Sequence, residues 1–135
     1  MSPSGEAGRR IATVTLVVAD YDEAIAWFTQ KLGFSLFDDD DLGGGRRWVT
    51  VGPAGSGLRL LLAEAKNDAE RSRIGDQTGG RVFLFLETDD FARDHRTMLS
   101  RGVVFTEQPR HEPYGTVAVF ADLHGNLWDL IEPKR

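Results

Sequence analysis

One aspartate stands out as a residue that could do chemistry. Asp129 lies in the run Leu127-Trp128-Asp129-Leu130-Ile131. In a strand, alternate side chains share a face, so Leu127, Asp129 and Ile131 fall together, with Trp128, Leu130 and Glu132 on the other side. A carboxylate flanked by apolar residues needs a partner, a proton or a metal. Other chemistry is sparse. The chain has no cysteine, which excludes thiolate nucleophiles, disulfides and Cys-zinc sites. Of the three histidines, His95 falls in a helical stretch and is expected half-buried and hydrogen-bonded. His111 in a polar loop and His124 in a turn are expected at the surface. Glu64 and Glu87 sit near strand ends and read as surface carboxylates. Gly43-Gly44-Gly45 is followed by Arg46-Arg47-Trp48, not by the Lys-Ser of a phosphate loop. No GxSxG elbow is present. The acidic run Asp38 to Asp41 lacks the spacing of a calcium loop and reads as a solvated turn.

The elements that must position Asp129 are legible from periodicity. Residues 114–133 read as two strands joined at Asp122-Leu123-His124-Gly125-Asn126. Gly and Asn tolerate positive φ there, and Asp accepts bonds from backbone donors ahead of it. Upstream, residues 11–18 form a strand with Val14, Leu16 and Val18 on its apolar face and Thr13, Thr15 and Val17 on the other. Asp20 caps a helix with Glu23 as its capping-box partner, and Gly33 ends it. Strands follow at 34–37, 47–51 and 58–63. Residues 66–80 are polar and read as a linker with one helical turn near 69–73. The pattern then restarts. A strand at 82–88 leads to a helix capped at Asp89 or Asp90, with Phe91, His95, Met98 and Leu99 as its stripe. Gly102 ends that helix, and a strand at 103–106 and a loop at 108–113 precede the hairpin. Asp20 stands 13 residues before Gly33 and Asp90 stands 12 before Gly102. The chain is therefore strand-helix-strand-strand-strand, twice. A ferredoxin-like duplication is the alternative arrangement.

Composition fits a single soluble domain. The chain has 135 residues, 41% hydrophobic and 27% charged, with a net charge of −5. That acidity argues against a nucleic-acid partner. No apolar run reaches membrane-spanning length, so no membrane partner is expected. The N-terminus carries no secretory signal, which makes the cytoplasm the expected compartment. Residues 1–9 are expected to be disordered. Residues 10–135 are expected to form one domain, with module one at 10–65, the linker at 66–80 and module two at 81–135.

The pattern Asp122-x-x-Gly125-Asn126-x-x-Asp129-Leu130, followed by Pro133, resembles the last hairpin of the vicinal oxygen chelate superfamily. That group contains glyoxalases, extradiol dioxygenases, fosfomycin-modifying enzymes and bleomycin-resistance proteins. The resemblance spans residues 11–133. It implies an α+β fold of two βαβββ modules whose curled mixed sheets enclose a pocket. It also implies a homodimer. In the superfamily's metalloenzymes, ligands come from the first and last strands of each module. Carried onto this sequence, those positions are Thr13, Leu60, Phe83 and Asp129. Leu and Phe offer no donor and a Thr hydroxyl is a poor one. The resemblance therefore implies no metal and no cofactor here, and no catalytic residue is assigned. What remains is an apolar pocket for a small-molecule ligand, lined by Thr13, Leu60, Phe83, Phe85 and Asp129. Trp48 is expected to add a stacking wall and Tyr114 to stand at the mouth. A lyase or dioxygenase with a degenerate metal site is the alternative reading.

Overall fold

A computed structural model describes residues 8–55 and 57–135. The expectation of disorder at 1–9 falls largely on residues outside that description. Module one contains β1 (Thr13–Val18), α1 (Tyr21–Gln30), β2 (Ser35–Gly43), β3 (Arg46–Gly52) and β4 (Arg59–Glu64). A short helix, α2 (Asp68–Arg71), lies in the connection. Module two contains β5 (Val82–Glu87), α3 (Phe91–Ser100), β6 (Val104–Phe105), β7 (Arg110–Glu112), β8 (Gly115–Ala121) and β9 (Leu127–Pro133). The first sheet has the order β1-β4-β3-β2, and the second β5-β9-β8-β6 with β7 also paired to β8. In each sheet the first and last strands of the module run parallel, and the remaining pairs are antiparallel.

The two modules repeat each other down to individual hydrogen bonds. Asp20 accepts from the Glu23 N–H and Asp90 from the Arg93 N–H, so both helices carry an aspartate cap. The first helical N–H of α1, on Tyr21, donates to Glu64 at the end of β4. Its counterpart on α3, the Phe91 N–H, donates to Glu132 near the end of β9. Each module thus uses the last strand's glutamate to satisfy an orphan donor of its helix. These paired glutamates fix the correspondence between modules: Leu61 and Asp129 each stand three residues before one.

One apolar core serves both modules. Leu16, Val18, Val51, Leu60 and Leu62 of the first sheet join Ala118, Phe120, Trp128 and Leu130 of the second. Phe28 of α1 lies 5.9 Å from Trp128, ring to ring. The sheets therefore pack through the sides that also carry the helices, and their other faces turn outward. Among the described residues both sheets remain open.

Three local expectations need correction. Asp38 to Asp41 belong to β2, not to a turn. Their charge is answered across the strands. Asp38 accepts from the Thr50 hydroxyl at 2.6 Å and from Arg59 at 3.2 Å, and Asp39 holds Arg47 at 3.1 and 2.8 Å. The turn itself is the two-residue Gly44-Gly45, both at positive φ as a tight hairpin requires. Residues 110–112, expected in a loop, form β7. Leu99, expected in the buried stripe of α3, is 49% exposed.

Candidate functional site

The outward face of the second sheet is set by strand register. Asp129 on β9 pairs with Phe85 on β5 and with Val119 on β8. Ile131 pairs with Val117, and Val117 with Arg110 of β7. Partners in register share a face, so this face carries Phe85, Asp129, Val117, Val119, Ile131 and Arg110. Asp129 is buried, only 7% exposed, and its Oδ1 is enclosed without a hydrogen-bond partner. Phe85 beside it is 65% exposed. A sequestered carboxylate oxygen thus lies next to an open aromatic ring.

The charges that act on Asp129 come from the edge of the sheet, Arg110 on β7 and Glu107 just before it. Arg110 Nε donates to both oxygens of Glu107 at 3.1 Å, and Nη1 donates to Glu112 at 2.7 Å. Glu107, and after it Tyr114, hold the guanidinium firmly protonated. Glu107 also accepts from the Val119 N–H at 2.9 Å, which anchors the bulged edge to β8. Burial raises the Asp129 pKa; Arg110 opposes that shift and Glu107 adds to it. Asp129 therefore holds a proton more tightly than a free carboxylate does.

The sequence-expected residues divide among three places. Phe85, Asp129 and Tyr114 belong to module two, with Tyr114 54% exposed just before β8. Thr13 and Trp48 lie on the outward face of the first sheet. Thr13 is exposed, and Trp48 is 42% exposed over a groove of about 670 Å³ that Thr15, Val17, Leu42 and Leu61 also line. Leu60 and Phe83 fall on neither outward face. Leu60 pairs with Val14 and is buried in the core at 4% exposure, on the side opposite Thr13. The residue matching Asp129 in module one is Leu61, one position on. Phe83 occupies a register shift between Val82 and Leu84, where strict alternation fails, and it packs edge-on against Trp128. Leu60 and Phe85 do meet at a cleft of about 300 Å³ along the seam of the modules, with Leu84 and Trp128. Thr13 and Asp129, however, lie on the outward faces of two different sheets, each turned away from the shared core.

The histidines stay outside this face. His95 stacks on Phe91 at 5.3 Å and meets Phe105 at 4.5 Å. His124, expected in solvent, is half-buried, and its Nε2 accepts from the Ala19 N–H at 3.2 Å. His111 is exposed. Asp122 takes a structural role: it accepts from the His124 and Asn126 N–H groups, Asn126 Nδ2 and Trp128 Nε1.

Among the described residues no cluster of three or more His, Cys, Asp or Glu is placed to hold a metal ion. The positions a metal would use offer Thr13 or Thr15, Leu61, Phe83 or Phe85, and Asp129. That donor set does not fit a catalytic divalent ion.

The sequence family described as the Glyoxalase/Bleomycin resistance protein/Dioxygenase superfamily matches residues 10–130. The chain belongs to this superfamily. An uncharacterised protein of Shewanella frigidimarina is 52% identical over 124 residues, covering 90% of this chain and 92% of that protein. Among solved structures, UcmS2 superposes with a TM-score of 0.81 at 30% identity, over 93% of this chain and 98% of UcmS2. TnmS3, an antibiotic binding protein from Streptomyces sp. CB03234, superposes with a TM-score of 0.77 at 27% identity, over 96% of this chain and 100% of TnmS3. The superfamily assignment agrees with the repeated modules. No helix among the described residues is long and apolar enough to cross a membrane.

Proposed function

We propose that this superfamily member binds a small organic molecule, without a metal, on the outward face of the second sheet. One observation carries the reading: Asp129 is sequestered on that face, its Oδ1 unpartnered, beside an exposed Phe85. A buried carboxylate left short of hydrogen bonds is costly, and a ligand that donates to its accessible oxygen offsets part of that cost. The donor set around Asp129 supports binding over metal-assisted catalysis. The likeness to TnmS3, an antibiotic binding protein, supports the same class of function. We further propose a homodimer in which a second copy covers the outward faces.

The test is a ligand search on protein purified without metal-affinity resin, by native mass spectrometry with metal analysis of the same sample. Hits are then mapped by amide chemical shifts. Binding is expected at well below one metal per chain, with shifts centred on Phe85, Val119 and Asp129. Stoichiometric metal bound through Asp129, or hits that shift the Leu60 and Leu84 amides of the seam cleft and leave Val119 and Asp129 unmoved, would overturn the reading.

A further inference from the structure

We infer that the ligand of the Asp129 face is a flat, positively charged molecule of the aryl-amidinium or aryl-ammonium class. This rests on the reading that the face binds a small molecule, and it adds the charge and shape that such a molecule must have.

The charge follows from the side chains at the site. Arg110 and Glu107 are the charged groups that act on Asp129. Arg110 is already engaged by two carboxylates, with Nε on Glu107 and Nη1 on Glu112. One guanidinium thus stands against Glu107, Glu112 and Asp129. Asp129 receives no hydrogen bond at Oδ1. An anion would add a further negative charge to this excess and be repelled. A neutral donor would supply a hydrogen bond and leave the charge unanswered. A cation supplies both, and charge-assisted bonds are the stronger ones.

The shape follows from register. Phe85 is the direct cross-strand partner of Asp129 and is largely open to solvent. Adjacent strands lie about 4.8 Å apart. A ring laid on Phe85 therefore brings a group attached at its edge to the carboxylate. Val119, the partner on the other side, continues the apolar floor. The exposed aromatic face also attracts a cation directly.

A matched series separates charge from shape: 2-naphthamidine, 2-naphthamide and 2-naphthoate share one ring system and differ in charge. Titration calorimetry at neutral pH should show the amidine binding at least about tenfold more tightly than the amide, with the naphthoate weakest. Asp129→Asn should bring the amidine and amide within about twofold of each other. Phe85→Ala should weaken both. A measurement on the unaltered protein checks the variants. As pH falls and Asp129 takes up its proton, amidine affinity should drop while amide affinity stays level. The inference is overturned if naphthoate binds as well as the amidine, if the amidine preference survives Asp129→Asn, or if both ligands respond alike to pH. If a broad library shifts the Phe85 and Asp129 amides but the amidine does not, the charge assignment alone fails. If no compound shifts them, the binding reading itself fails.

Discussion

Asp129 makes the unliganded protein less stable as the pH rises. Burial raises its pKa above the ordinary 3.8, so the native state binds this proton more tightly than the unfolded state does. Its contribution is then most favourable below about pH 4 and is lost as pH climbs through the raised native pKa. Asp129→Asn removes the titration. The variant should be more stable than the parent at pH 7, by on the order of 1 kcal/mol, and the difference should close below about pH 4. Calorimetric melts across pH 3–8 without ligand check this; equal melts at neutral pH would mean the carboxylate is satisfied. Asp94 shows the opposite balance. Burial pushes its pKa up, but Arg93 and Thr88 bond to it and bring it below the ordinary value. At this scale the sequence revealed Asp129 through simple alternation. It placed Leu60 opposite Asp129 one residue out of step, whereas the glutamates that bond the helix N-termini set the phase at Leu61. Arg110 and Glu107 were missed because a three-residue edge strand gives too short a period to read, although Arg110-His111-Glu112 does alternate.

The connection between the modules acts as a clamp. The Gln77 side chain donates to the Thr15 carbonyl at 3.1 Å and accepts from the Val17 N–H at 3.3 Å. It thereby pairs with the outer edge of β1 as a neighbouring strand would, which blunts that edge. The Gln77 N–H in turn donates to Asn126 Oδ1 at 3.0 Å, in the turn held by Asp122. Beside it, Gly75 sits at φ +75°, and a Cβ there would come within 2.1 Å of the His124 carbonyl oxygen. Gln77→Ala should cost about 1–2 kcal/mol in urea unfolding and speed amide exchange at Val17. Gly75→Ala should cost more than about 2 kcal/mol, since it adds both strain and a clash. Little change in either would show that the clamp does not hold the modules. The helices and most strands were legible because their caps, glycines and apolar spacing agree locally. The acidic β2 and the clamp were not, because Thr50, Arg59, Arg47 and Thr15 reach them only once the chain has folded.

The shared core sets what one chain can do alone. The sides of the sheets that carry Leu60 and Trp128 are joined through α1 and the central aromatics, so Trp48 and Asp129 both look away from that core, each on its own sheet. Each outward face carries large apolar groups that water contacts freely: Leu42 at 51% and Trp48 at 42% on the first sheet, Phe85 at 65% and Val104 at 65% on the second. Exposed apolar groups concentrated on two faces favour burial against another surface. Two copies related by a twofold axis can satisfy both at once, the first-sheet face of each meeting the second-sheet face of the other. The arrangement would also turn each open face into a lined pocket, with Trp48 of one copy set against Asp129 of the other. Light scattering during gel filtration should then give twice the 15.0 kDa of one chain. Trp48→Lys, which places a charge on the face away from Asp129, should shift the population toward monomer and weaken ligand binding together. A monomeric parent protein would sink the dimer proposal. A dimer whose Trp48→Lys variant dissociates yet keeps full ligand affinity would show that module two binds its ligand alone.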